Sequence, residues 1–250
     1  MKKSPYPVDI VLISGARPSL LKKTLDSFEI NLFPWLTISK IIVNLDPFGG
    51  DNADLHECEK LILSHFPGAD ITIPNQPHFT KAVKNSWLKT TEKFILHLED
   101  DWISLTNIDP NIIFPLFDNH VRSVKFSSIN LNHDFKKFNA FYTGQIKRRF
   151  FGLTLKRTSY NLHSTAPGFF EGEFLRKWAN LLDLSLDPEK QTRPFLNQKL
   201  FDHVKDYSCY ILRSENHSHL IEDIGRDWRN KKGIKKVLND GQSEWISTTK

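Results

Sequence analysis

The chain has 250 residues, of which 39% are hydrophobic, 25% charged and 12% aromatic, proportions that exclude an extensively disordered chain or a collagen-like fibre. Its 34 Lys and Arg against 29 Asp and Glu leave a net charge of +5, which suits an anionic partner without requiring nucleic acid. No apolar run approaches the roughly 18–20 residues of a membrane span, and two cysteines, Cys58 and Cys209, are too few for a disulfide framework or a cysteine-based zinc site, so a reducing, cytoplasmic setting is expected.

Met1 to Pro5 lead into Val8–Ser14 (VDIVLIS), a short β-branched run that predicts a buried strand with no secretory h-region before it. Gly15-Ala16-Arg17-Pro18 turns the chain, and Pro18 suits a first helical turn. Leu21, Leu25, Phe28 and Leu32 then form one helix face. Lys40–Leu45 (KIIVNL) predicts a second strand ending at Asp46, and Asn52–His65 a helix. Ala69–Ile73 predicts a third strand, Phe79–Thr91 a helix through Val83 and Trp87, and Phe94–Leu98 (FILHL) a fourth strand running into Glu99-Asp100-Asp101-Trp102. Strands separated by single helices imply βαβ crossovers and a parallel sheet. In such sheets ligands bind beyond the carboxyl ends of strands. Gly15-Ala16-Arg17, Asp46 and Glu99-Asp100-Asp101 all fall there.

The second half is less regular. Val124–Leu131, Phe150–Leu155 and Tyr207–Leu212 read as strands; Phe170–Leu182 and Leu196–Val204 read as helices. The mixture predicts an α+β extension of the same sheet rather than a second domain. Trp87 and Trp178 read as core. Two basic patches stand out: Lys147-Arg148-Arg149 with Lys156-Arg157, and Arg229 onward. Each is either a solvated surface or a phosphate contact.

No GxxxxGK[ST], GxGxxG, HExxH or GxSxG motif is present, so P-loop, dinucleotide-binding, zincin and α/β-hydrolase chemistry lack support. Three adjacent carboxylates at a strand end repel one another, and a hard divalent cation such as Mg²⁺ or Mn²⁺ would offset the repulsion. A solvated acidic turn is the plainer alternative.

The strand-turn-helix VDIVLISGARPSLLKKTLDSF, then IIVNLD, then KAVKNSW leading to FILHLEDDW together resemble a GT-A-fold glycosyltransferase of the nucleotide-sugar-dependent, family 2 type. The resemblance covers about the first 105 residues well, and Glu99 departs from the acid usual at the start of the family's DxD-type motif. It implies a GT-A-like α/β fold, a Rossmann-type mostly parallel sheet flanked by helices. A nucleotide-sugar half would span residues 1–105, and an acceptor half with a C-terminal lid residues 106–250. Ser14, Ala16 and Arg17 would line the nucleotide pocket and Asp46 would meet the base. Asp101 would ligate Mn²⁺ or Mg²⁺, with Glu99 or Asp100 near the ribose and sugar, and Asn85 would lie on the helix before the motif. Glu171 or Glu173 would serve as the base of an inverting transfer. His219, chosen over His217, would be a further metal ligand. Arg226 and Arg229 would reach the diphosphate as the lid closes, and Trp102 would contact the sugar. The partners implied are a nucleotide-diphosphate sugar and a glycan or other hydroxyl acceptor, with no nucleic acid and with peripheral membrane contact left open. Other readings are a sugar nucleotidyltransferase, a metal-dependent nuclease, or a binding module using the basic tail.

Overall fold

The computed structural model describes residues 1–129, 133–151, 153–214, 216, 219–239 and 242–247. In chain order, strands β1 (Pro7–Gly15), β2 (Thr37–Asp46), β3 (Asp70–Thr72) and β4 (Phe94–Glu99) are separated by helices α1 (Pro18–Asn31), α2 (Asn52–His65) and α3 (Phe79–Leu88). Then come β5 (Trp102–Ser104), the single turn α4 (Pro110–Ile113), β6 (Val121–Phe126) and the single turn α5 (Phe135–Phe138). A hairpin of β7 (Thr143–Phe150) and β8 (Leu153–Asn161) precedes β9 (Gly168–Glu171) and α6 (Gly172–Leu181). Helix α7 (Gln198–Val204), β10 (Ser208–Leu212), β11 (Ile221–Asp223) and α8 (Gly225–Lys231) follow, and the hairpin β12 (Ile234–Asn239) and β13 (Gln242–Ser247) closes the described chain.

Seven strands form one sheet in the order β10-β6-β9-β4-β1-β2-β3. Only β9 runs against its neighbours; the other pairings are parallel. The sheet is buried on both faces by helices, as parallel sheets must be, and β1 shows why its run of apolar residues is continuous rather than alternating. Ile10 and Leu12 enter one core with α1 and α2, while Val11 and Ile13 enter the other with α3 and α6. The second core centres on Trp87 and Trp178, whose rings meet edge-on at 5.1 Å, with Phe170 and the buried His97 around them. Trp87 Nε1 donates to His97 Nδ1 at 3.0 Å, so the imidazole is neutral, and burial pushes its pKa down to about 3. At the foot of the sheet the buried Asp9 accepts from the backbone N–H groups of Thr91 and Glu92, fixing where β4 enters beside β1.

Three second-half elements differ from the sequence expectation. The strand expected at Val124–Leu131 spans Val121–Phe126 instead, and part of the expected range lies outside the described residues. The strand expected at Phe150–Leu155 straddles the turn between β7 and β8. The helix expected from Phe170 starts at Gly172. Phe169 and Phe170 belong to β9 and point to opposite cores, a period of two that the spacing of Phe170, Phe174 and Trp178 conceals.

Candidate functional site

The carboxyl ends of β1, β2 and β4 form one rim, and Gly15 sits at its centre, paired in register with Asp46 of β2. A Cβ at Gly15 would lie 2.7 Å from the Phe48 carbonyl oxygen, so only glycine lets the two turns close on each other. Asp100, just past β4, folds back onto this turn. Its Oδ2 accepts from the Gly15 N–H at 3.0 Å, Ser14 Oγ at 3.2 Å and Arg17 Nε at 3.2 Å, and its Oδ1 accepts from Arg17 Nη2. Thr24 of α1 donates to the Asp100 carbonyl at 2.8 Å. Asp100 is therefore saturated and acts as a clasp between the two halves of the rim. Asp46 accepts from Asn44 Nδ2 at 2.8 Å and from the His78 N–H at 3.2 Å, and burial raises its pKa.

Asp101 is the second buried carboxylate. Its Oδ2 accepts from Arg17 Nη1 at 3.3 Å and Arg229 Nη1 at 3.4 Å. Burial pushes its pKa up to about 6, with Arg17 opposing, Asp100 and Asp223 adding, and Arg229 opposing. Burial disfavours the Arg17 charge, but Asp100 and Asp101 more than offset it, and the guanidinium is held more firmly protonated than usual.

The C-terminal segment completes the rim. Antiparallel pairing of β11 with β5 sets Asp223 opposite Trp102, and the Ile224 N–H donates to the Asp101 carbonyl at 2.9 Å. Asp223 Oδ1 caps α8 through the Gly225 and Arg226 N–H groups, and its Oδ2 accepts from Arg226 Nε at 3.2 Å and Arg229 Nη2 at 3.4 Å. Gly225 lies so close to Asp101 that a Cβ there would overlap the carboxylate. Trp228 covers the Arg17 guanidinium at 5.2 Å, with Phe48 on another side at 5.9 Å. The segment expected to be a lid is thus docked across the rim in this structure. Glu99, Asp100, Asp101 and Asp223 meet the guanidiniums of Arg17, Arg226 and Arg229, four negative groups against three positive.

Hard oxygen donors and a negative excess fit a small divalent cation that keeps waters and substrate phosphates as its other ligands. Among the described residues no three His, Cys, Asp or Glu side chains form a ready cage.

Several expected site residues lie elsewhere. Glu171 pairs in register with Phe94, at the start of β4, so it and Glu173 sit at the opposite end of the sheet from Asp46 and Asp101. The Glu171 carboxylate caps α6, accepting from the Glu173 and Phe174 N–H groups at 3.3 and 2.7 Å. His219 lies two residues before β11, which begins at Ile221. Asp223 is close enough to act on Asp101, and His217 lies outside the described residues. Asn85 is exposed two turns down α3, since the buried face uses Ala82, Val83, Ser86 and Trp87. Trp102 is half-buried against the α1 core, and Arg226 is largely exposed while bound to Asp223. Ser14, Ala16 and Arg17 sit at the rim, with the Ala16 N–H donating to the Phe48 carbonyl at 2.8 Å.

Sequence reasoning missed Asp223 and a polar group in the second half of the chain. Lys125 of β6 is buried with its ammonium 4.3 Å from the Tyr142 ring, and burial lowers its pKa. Glu189 is close enough to act on both Lys125 and Tyr142, and its carboxylate meets Lys190 at 3.1 Å and Ser164 Oγ at 3.5 Å. The signal available was a Lys within an otherwise apolar strand, VRSVKF.

This sheet order, with one reversed strand, is a GT-A-like α/β fold, and solved structures share it. The mannosyltransferase PcManGT from Pyrobaculum calidifontis, in complex with GDP-Man and Mn²⁺, superposes with a TM-score of 0.54 at 11% identity, over 86% of this chain and 57% of that one. S. aureus TarS 1-349 in complex with UDP-GlcNAc gives a TM-score of 0.51 at 11% identity, over 89% of this chain and 58% of that one. The chain spans somewhat under three fifths of the length of each. No protein-family model matches the sequence, and no curated protein matches it.

Proposed function

We propose that this chain is a glycosyltransferase that moves a sugar from a nucleotide-diphosphate donor to a hydroxyl of a glycan or other acceptor, with inversion. The observation that carries the reading is the meeting of Asp46, Asp100, Asp101, Arg17 and Arg229 at one rim beyond β1, β2 and β4. Donor-binding residues fall within 1–105, apart from the C-terminal strap, and the acceptor half is 106–250. The two free cysteines are buried, no described helix is long and apolar enough to cross a membrane, and a cytoplasmic setting goes with this reading.

Each residue has a chemical task. Asp46 accepts a hydrogen bond from the nucleobase. Arg17 and Arg229 have donors left over: a guanidinium offers five N–H groups, and these spend three and two on carboxylates. The remainder are available to diphosphate oxygens, where negative charge grows as the sugar–oxygen bond breaks. Mn²⁺ or Mg²⁺ held by Asp101 would supply further neutralisation of that charge. Trp228 and the docked strap exclude water that would otherwise consume the donor. On the acceptor side, Glu189 takes the hydroxyl proton as the base, because the carboxylates expected to do so cap a helix at the far end of the sheet. A carboxylate in that role contributes about 10²–10⁴-fold in rate.

The test is donor turnover across a panel of UDP- and GDP-sugars with Mn²⁺. Release of nucleoside diphosphate from one donor, lost in Arg17→Gln, is the expected result. No release from any donor, together with equal thermal stability with and without every nucleotide sugar, would refute the proposal.

A further inference from the structure

The carboxyl end of β6 holds two polar groups that folding alone does not require. Both β6 and β4 run against β9, which lies between them, so β6 ends on the same side of the sheet as the acidic rim. Register sets Lys125 beside Gly168, which pairs in turn with His97, two residues before Glu99. The segment stays extended past Phe126: the Ser127 N–H donates to the Leu212 carbonyl at 2.9 Å, and Ser128 bridges to Ile221. Phe126 enters the α1 core, so Lys125 and Ser127 on either side of it face the other way, together.

Both groups cost stability where they stand. Lys125 is 7% exposed, and a buried ammonium is destabilising unless it is paired. Its ammonium lies 4.3 Å from the Tyr142 ring, which offers a quadrupole rather than a full charge. Glu189 is close enough to act on it, but the Glu189 carboxylate is engaged by Lys190 at 3.1 Å, and no ion pair joins it to Lys125 among the described residues. Ser127 is fully buried, and its hydroxyl has no hydrogen-bond partner among the described residues. A buried hydroxyl left unpaired is destabilising, and native proteins keep few of them.

An ammonium and a hydroxyl on one face, neither matched within the fold, are the donors an oxyanion needs. A second cation stands nearby, since Arg193, exposed on the loop after Glu189, is close enough to act on the Tyr142 hydroxyl. A neutral ligand would leave the Lys125 charge uncompensated, whereas an anion removes the cost of burying it.

We propose that Lys125 and Ser127 receive an oxyanion carried by the acceptor, a phosphate or a carboxylate, and so select acidic acceptors for the hydroxyl presented to Glu189. This names a substrate class for the glycosyltransferase reading and rests on it. The probes are glucose, glucuronate and glucose phosphorylated on its primary hydroxyl, each titrated calorimetrically into the full chain. One of the two anions should bind the parent more tightly than glucose does, and which one identifies the group. Lys125→Met should weaken that anion about tenfold or more, the worth of a charge-assisted hydrogen bond, and Ser127→Ala by a smaller factor. Glucose should not distinguish parent from variants. Each substitution removes a buried group that the fold leaves unmatched, so neither thermal midpoint should fall, whereas a structural role would lower both. These titrations need no donor: anion binding can fail while nucleoside diphosphate is still released, or succeed where no donor turns over, which separates the two proposals. Equal affinity for all three sugars, no binding of either anion, or parent-like anion binding by both variants would overturn the assignment. So would a lowered midpoint in both variants.

Discussion

Replacing Glu171 separates two physical roles for one carboxylate. As the cap of α6 it accepts from two backbone N–H groups, at 3.3 and 2.7 Å, that no intrahelical carbonyl can satisfy. Loss of such a cap costs about 1 kcal/mol, within a range of roughly 0.5–2. In a protein of this size that lowers the melting temperature by roughly 2–4 °C. As a catalytic base the same residue would leave stability nearly unchanged and cost about 10²–10⁴-fold in turnover. Its register partner Phe94 opens β4, whereas the acidic rim follows the end of β4, a full strand length away. Glu171→Ala is therefore expected to lower the midpoint measured by calorimetry and to leave kcat within about twofold. Glu171→Gln keeps one acceptor oxygen and should fall between parent and alanine in stability. A hundredfold loss of kcat in Glu171→Gln at unchanged midpoint would refute the reasoning, because it would put a capping residue into the chemistry.

Other outcomes follow from the same geometry. His97 and His163 are buried neutral, with pKa values pushed down to about 3 and about 4. Their contribution to stability is complete above the ordinary value near 6.5 and is lost as pH falls toward these depressed values; at pH 5 each costs about 2 kcal/mol, at about 1.4 kcal/mol per unit. Thermal midpoints should fall between pH 7 and pH 5, and His97→Gln, whose carbonyl can still accept from Trp87, should flatten that dependence; a parent midpoint unchanged over this range contradicts it. Gly225→Ala places a methyl group against the Asp101 carboxylate and should weaken nucleotide binding at least tenfold while the two cores keep their stability, read by calorimetry on the same sample. Trp228→Ala removes the cover over Arg17, a contact of about 0.5–2 kcal/mol. Trypsin should then cleave faster at Arg226, Arg229 or Lys231, and an unchanged digestion rate would mean that the strap is held by its carboxylate contacts alone. Glu189→Gln should lower kcat at least a hundredfold with donor KM unchanged, and a change confined to KM would move Glu189 from the chemistry to binding.

The first hundred residues were legible because their elements announce themselves by period. The run of VDIVLIS is buried on both faces, and the Leu21-Leu25-Phe28-Leu32 stripe fills one helix face. Pro18 marks a helix start, and the structure adds a full capping box at Asp51 before the second helix. Placing the acidic turn beyond strand ends then brought Asp46 and Asp100 to the same rim. The second half resisted for physical reasons. β9 is four residues long, reversed, and buried on both faces, so its pattern merges with the helix that follows. Its reversal also carries Glu171 to the far end of the sheet, which no local pattern encodes. The pairing of Arg17 with Asp100 closes a separation of 83 residues, and the carboxylate that joins Asp101 from the C-terminal segment was hidden behind two more conspicuous histidines.

The central claim is that this rim grips a nucleotide-diphosphate sugar, and titration calorimetry of UDP- and GDP-sugars against the parent, Asp46→Asn and Arg17→Gln tests it most directly. One donor should bind the parent at one site per chain and bind each variant at least tenfold more weakly. Absence of binding by every donor, or an affinity that both substitutions leave unchanged, would contradict the account.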